Sequence, residues 1–93
     1  MKTGKTFRLV CRALADASEG KHVMFICGDE HKADYAIKMA YKMVDVLVET
    51  TNWKNRIEFP TPSSRVGIFQ VCTVDWWRNI QSGVGVKPYF DKG

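Results

Sequence analysis

The first third of the chain repeats apolar residues at helical spacing and then changes to a continuous apolar run. Between Thr6 and Glu19, apolar positions recur three, four and seven residues apart, which predicts a helix with one buried face. These positions are Phe7, Val10, Cys11, Leu14 and Ala17. Gly20 follows where a helix end favours positive φ. The run His22–Cys27 has no polar alternation, which predicts a strand covered on both faces.

A second and longer helix is predicted from about His31 to Glu49, with Asp29 as its N-cap. Its apolar stripe is wider than a single sheet would cover. Two interpretations remain open: the helix is deeply packed within a small domain, or it makes a second contact with another subunit. The residues assigned to such an interface are Tyr35, Met39 and Val46.

The hydrophobic pattern changes to a period of two after Asn52. Apolar Ile57 and Phe59 alternate with charged residues, as in a strand with one buried face. Pro60–Ser64 then supplies a turn, and Arg65–Val71 resumes a strand. The whole segment predicts a β-hairpin.

The last part of the chain predicts one short helix and an irregular tail. Residues 73–80 form the helix, capped by Thr73, and glycines and a proline interrupt the tail that closes on Tyr89 and Phe90. The element order α-β-α-β-β-α predicts an α/β fold, with α+β as the alternative. We expect a three-layer-like single domain, 1–93, in which two main helices pack on a short mixed sheet.

Composition narrows the class of protein. The chain is 45% hydrophobic and 26% charged, as in a folded domain, and no apolar run approaches the roughly 18 residues of a membrane span. We therefore expect a soluble, cytoplasmic protein with no membrane partner. Three cysteines, odd in number and far apart in apolar segments, indicate free buried thiols. His22, Cys27 and His31 lack the spacing of zinc ligands, so no metal site is predicted.

The net charge of +4 is unevenly distributed. Lys2, Lys5, Arg8 and Arg12 all precede the first acid, Asp16. Such a cluster suits contact with phosphate groups. The alternative is a solvated positive helix face.

Gly4, Lys5 and Thr6, followed by an amphipathic helix, resemble the end of a Walker A motif, in which amides at a helix N-terminus cradle phosphates. The element order from Thr3 to Trp77 is similar to the first half of the ATPase domain of helicases and phage terminase large subunits. The resemblance implies a truncated P-loop NTPase-like fragment in a small phage protein. It also implies that Lys5 reaches a phosphate and that the Thr6 hydroxyl faces magnesium.

The motif is incomplete. No glycine lies four residues before the Gly4–Lys5 pair, no strand precedes it, and no apolar run ends in a Walker B acid pair. We therefore expect no nucleotide hydrolysis by the chain alone and no cofactor, with ATP and magnesium as the less favoured alternative.

The tryptophans lie beside cations along the chain. Adjacent Trp76 and Trp77 cannot both face one core in a helix, so one of them is expected to be exposed. Base stacking, anchoring of a protein partner and simple packing all remain open interpretations.

Three hypotheses for function follow. The favoured one is a nucleic-acid-associated accessory protein with a degenerate phosphate-binding helix start, and its residues are Gly4, Lys5, Thr6, Arg8, Arg12, Lys54, Arg56 and Arg78. The alternative is a protein-binding modulator of a larger enzyme, with the interface Tyr35, Met39, Val46, Trp76 and Trp77. The third is an NTPase completed by homo-oligomerisation. No catalytic residue is predicted for the chain alone.

Overall fold

The computed structural model describes residues 2–44, 51–53, 55–61, 65–80 and 85–91. The elements in chain order are α1 Lys2–Ser18, β1 His22–Cys27, α2 Glu30–Val44, β2 Thr51–Trp53, β3 Arg56–Pro60, β4 Val66–Thr73, α3 Val74–Ile80 and β5 Val86–Phe90. This arrangement confirms the predicted α/β class. None of the helices in these ranges has the length and apolar character that a membrane crossing requires.

The five strands form one mixed sheet in the order β2-β3-β4-β1-β5. β1 is central and runs parallel to both β4 and β5. β3 is antiparallel to β2 on one side and to β4 on the other. β4 and β5, the two neighbours of β1, both follow it in the chain and lie on opposite sides of it. The carboxyl ends of the three parallel strands therefore meet at one edge of the sheet, where α/β folds usually place their binding sites.

The two long helices cover one face of the sheet, and α3 covers part of the other. The main core joins residues of α1 and α2 to Val23, Phe25, Ile57 and Phe69 of the strands. A smaller cluster on the opposite face is formed by Met24, Ile26 and Cys72, against which Trp77 of α3 packs. The predicted three-layer arrangement of helices, sheet and helix is confirmed.

Local signals place the end of α1 and the starts of α2 and α3 as predicted, whereas α1 begins at Lys2, four residues before the predicted start at Thr6. Gly20 follows α1 with φ of 97°, a conformation that glycine adopts without strain. The Asp29 carboxylate accepts a hydrogen bond from the Lys32 amide at 2.8 Å at the start of α2. Thr73 caps α3, since its hydroxyl oxygen accepts a bond from the Trp76 amide at 3.2 Å.

The prediction of an irregular tail is wrong, because Val86–Phe90 forms the edge strand β5 beside β1. Pro88 lies within this strand, and an edge strand tolerates proline because one side of its backbone needs no hydrogen-bond donor. The short strand β2 was also not predicted. The predicted C-terminal part of the second helix, after Val44, lies outside the described residues up to position 50.

Two apolar residues of α1 were assigned to the wrong face. Phe7 is 50% exposed and Cys11 is exposed, although both were predicted to be buried. The buried stripe of α1 instead follows Thr6, Val10 and Ala13 and continues to the helix end. The apolar residues of α1 fit two neighbouring stripes along the helix, and the position of the sheet determines which stripe is buried.

Asp16 joins the end of α1 to β5. Its carboxylate accepts hydrogen bonds from Lys87, at 2.7 Å, and from the Tyr89 hydroxyl. These two bonds hold the pKa of Asp16 below its ordinary value, and the bond from Lys87 has the larger effect. The side chain is 18% exposed, so water screens the interaction only in part.

We expect Asp16→Asn to lower the free energy of unfolding by about 1 kcal/mol at neutral pH. Because the folded pKa is lowered, the carboxylate stabilises the fold above its unfolded pKa of about 3.9, and this contribution is lost as the pH falls further. Thermal melts of the two proteins should therefore differ at pH 7, and the difference should shrink as the pH falls below about 4 and disappear below the lowered folded pKa. Glu19→Gln, which removes an exposed ion pair with Lys21, is the control and should change little. A difference that persists unchanged in acid would contradict this assignment.

Candidate functional site

Three cations lie on one solvent-facing stripe of α1. Lys5, Arg8 and Arg12 are all exposed, and their spacing of three and four residues places them on the same side of the helix. No ion pair involves any of them within the described residues. The acids further along this side, Asp16 and Glu19, are held by lysines near the end of the helix. The first three turns of α1 therefore present positive charge that no described acid neutralises; we call these three residues the cation stripe.

Gly4 and Thr6 flank the cation stripe at the first turns of α1. Helix α1 begins at Lys2, so the Gly4–Thr6 tripeptide lies within the helix. Gly4 is exposed and borders open space. Thr6 faces the sheet instead, is 9% exposed, and donates a hydrogen bond to the Asp91 carboxylate at 3.3 Å. The Lys5 and Thr6 side chains thus point in different directions, one to solvent and one to the carboxyl end of β5.

The other predicted cations lie elsewhere. Arg56 alternates with buried Ile57 along β3, so it points to the sheet face opposite α1, where it pairs with Glu58 at 3.6 Å. Arg78 is exposed on α3, which packs on that same opposite face. Lys54 lies outside the described residues. The structure therefore brings together the α1 cations and separates Arg56 and Arg78 from them.

The residues predicted to contact a protein partner also differ in their exposure. Tyr35 on α2 is 49% exposed, whereas Met39 is partly buried against the main core. Val46 lies outside the described residues. On α3, Trp77 packs on the sheet and Trp76 is 45% exposed, which confirms that the adjacent tryptophans face different surroundings.

A cleft of about 590 Å³ opens at the carboxyl end of β4, beside Trp76. Its lining comes from α2, from the turn before β3, from β4 and from α3, and consists of Glu30, Ala33, Asp34, Ile37, Asn55, Gln70, Val71, Cys72, Thr73 and Trp76. Apart from Trp76, none of these residues was predicted to belong to a site. Four separate segments form the cleft, so no pattern within one stretch of the sequence predicts it.

The buried thiols are poor nucleophiles. Burial, reinforced by nearby Asp91, raises the pKa of Cys27 to about 12, and burial raises that of Cys72 to about 11. Both groups are therefore protonated at neutral pH. Cys11, by contrast, is exposed, with its sulfur 3.9 Å from that of Met43. Within the described ranges, no three His, Cys, Asp or Glu side chains converge as metal ligands.

Comparisons of the chain with protein-family models, with curated proteins and with solved structures found no match.

Proposed function

We propose that this protein is a small nucleic-acid-associated accessory protein, which contacts the phosphate backbone through the cation stripe of α1 and does not hydrolyse nucleotides alone. The observation that carries the proposal is the alignment of Lys5, Arg8 and Arg12 on one exposed side of a helix without a described carboxylate partner. Unpaired cations in a row match a polyanion, and binding releases the counterions condensed on it.

The dimensions of the cation stripe agree with this proposal. From Lys5 to Arg12 the helix rises about 10 Å at 1.5 Å per residue. One strand of a duplex carries a charge about every 3.4 Å along the axis, so several phosphates lie within reach of the three side chains. Such contacts fix position on the backbone and carry no sequence information.

The resemblance to a P-loop fragment supports this proposal only at the first turns of α1. Gly4 leaves space beside the exposed Lys5, where one backbone phosphate would lie near the positive end of the helix dipole. Hydrolysis is not part of the proposal, because the Thr6 hydroxyl is turned away from the cation stripe and bonded to Asp91.

One observation favours a second candidate, an NTPase site completed by self-association or by a partner. The Thr6 hydroxyl and the Asp91 carboxylate are oxygen groups of the kind that magnesium prefers, and they meet at the carboxyl edge of the sheet, one residue along α1 from Lys5. This candidate requires magnesium-dependent phosphate release from ATP that Lys5→Ala abolishes. Without such release at any protein concentration, the candidate fails.

Residue-resolved NMR tests the favoured proposal. We expect a short DNA duplex, added at low salt to isotope-labelled protein, to shift the amide signals from Lys5 to Arg12, because phosphates bind at their side chains. Signals of Glu30, Asp34 and Trp76 at the cleft serve as the internal control and should remain in place. Shifts confined to the cleft, or none at all, would contradict the proposal.

A further inference from the structure

The cleft at the carboxyl end of β4 has the size and lining of a binding site. Its volume of about 590 Å³ lies within the usual range of ligand pockets. Ala33, Ile37 and Val71 give it an apolar floor, and the amide side chains of Asn55 and Gln70 lie at its rim. The cleft lies at the carboxyl end of β4, whereas Thr6 of α1 contacts Asp91 at the end of β5, on the other side of β1. It is thus separate from the cation stripe.

The carboxyl end of β4 borders this cleft. β3 pairs with β4 as far as Arg56 and Gln70, and the Asn55 carbonyl then accepts the Val71 amide at 3.0 Å. In the part of the chain that the structure describes, no strand pairs with this side of β4 beyond that bond. Backbone groups of a strand alternate in direction, so the Thr73 amide points the same way as that of Val71. The Val71 amide is already bonded to Asn55, so an extended peptide meets the Thr73 amide here and can accept its hydrogen through a main-chain carbonyl.

The charges of the lining select the kind of peptide. Glu30 and Asp34 lie one helical turn apart on the α2 wall, and the half-exposed indole of Trp76 lies on the α3 side. Lys38 pairs with Asp34 at 2.8 Å, but both side chains are more than half exposed, so an incoming cation can displace it. Among the described residues, the lining includes no lysine, arginine or histidine. An arginine guanidinium fits this lining, because it binds carboxylates with two parallel hydrogen bonds and stacks on indole rings.

We propose that the cleft binds an extended segment of another protein that presents an arginine. A main-chain carbonyl of the segment accepts a hydrogen bond from the Thr73 amide, and its arginine lies between the α2 carboxylates and Trp76. Phosphate-bearing ligands are disfavoured here by the two acids, so this surface and the cation stripe serve different partners.

The test uses a capped peptide, acetyl-Thr-Val-Arg-Val-Thr-amide, titrated into the full chain and followed by amide NMR. Shifts are expected at Thr73, Trp76, Glu30 and Asp34. A peptide with citrulline in place of arginine keeps the shape without the charge and should bind at least about threefold more weakly.

Matched variants separate the site from general effects. Glu30→Gln with Asp34→Asn, and separately Trp76→Ala, should each weaken the arginine peptide about fivefold or more. Tyr35→Ala removes an aromatic of similar exposure from α2 and should leave the affinity unchanged. The proposal is overturned if the peptide produces no shifts at these residues near the solubility limit, or if the citrulline peptide binds equally well. It is also overturned if adenosine monophosphate shifts the same signals at lower concentration, which would make the cleft a nucleotide site.

Discussion

Replacing Gly67 with alanine is expected to lower the free energy of unfolding by about 3 kcal/mol, because α1 crosses β4 directly over this residue. A Cβ atom at position 67 would lie 1.6 Å from the carbonyl oxygen of Ala17 and 2.8 Å from its carbonyl carbon. It would also lie 3.2 Å from the Cα of Gly20. All three atoms belong to the backbone, so no side chain can rotate away and the end of α1 must move off the sheet. Buried Val10 and Ala13 of α1 would then lose part of their packing.

Urea unfolding measures this effect, and Gly4→Ala is the matched control. Nothing lies within 4 Å of a Cβ at position 4, so this variant should be as stable as the original or more stable by up to about 1 kcal/mol, as expected for alanine in a helix. If Gly67→Ala unfolds at the same urea concentration as the original protein, α1 does not lie on β4 as described. The position of the cation stripe relative to the sheet would then also be wrong.

Neutralising the cation stripe is expected to have the largest effect on function. The triple variant Lys5→Gln, Arg8→Gln and Arg12→Gln removes all three proposed phosphate contacts. At low salt its affinity for a labelled DNA duplex should fall at least about tenfold, because each lost contact also forfeits the release of counterions. The three side chains are exposed, so the fold should be unaffected. Fluorescence anisotropy measures the change.

The control for this variant removes the same charge from another helix. Lys32→Gln, Lys38→Gln and Lys42→Gln neutralise three exposed cations of α2 and leave the same net charge on the protein. If binding depends on the cation stripe, the α2 variant should keep most of its affinity. Equal losses in both variants would show that only the overall charge attracts DNA, and the proposed interface would be wrong.

Much of the fold follows from local signals in the sequence. The strand His22–Cys27 was predicted with its observed bounds, because a run without polar alternation suits a strand covered on both faces. The caps Asp29 and Thr73 and the positive φ of Gly20 were predicted as well, since each depends on a few neighbouring residues. The hairpin of β3 and β4 is confirmed for the same reason.

Features that depend on distant partners were not predictable in this way. β5 becomes a strand by pairing with β1, more than 60 residues earlier, while Pro88 obscures its apolar pattern. The exposure of Phe7 and Cys11 depends on which side of α1 meets the sheet. The Thr6 bond to Asp91 joins residues 85 positions apart.

The candidate sites, too, were predictable where they depend on neighbouring residues and not where they depend on distant ones. Clustered N-terminal cations predicted the cation stripe, since three residues on one helix keep their relative directions in any fold. The sequence also grouped Arg56 and Arg78 with them, and the sheet separates these two from α1. The cleft could not be predicted, because Asn55, Gln70 and Trp76 meet only through the tertiary structure.

The most direct test of the central proposal is the dependence of DNA affinity on salt. Anisotropy titrations of the original protein with one duplex, repeated over a range of salt concentrations, give the slope of log affinity against log salt. Three phosphate contacts from the cation stripe predict a slope of about −3, and a slope close to zero for the variant that lacks Lys5, Arg8 and Arg12. An absence of binding at the lowest salt, or a slope that the variant leaves unchanged, would contradict the proposal that α1 binds nucleic acid.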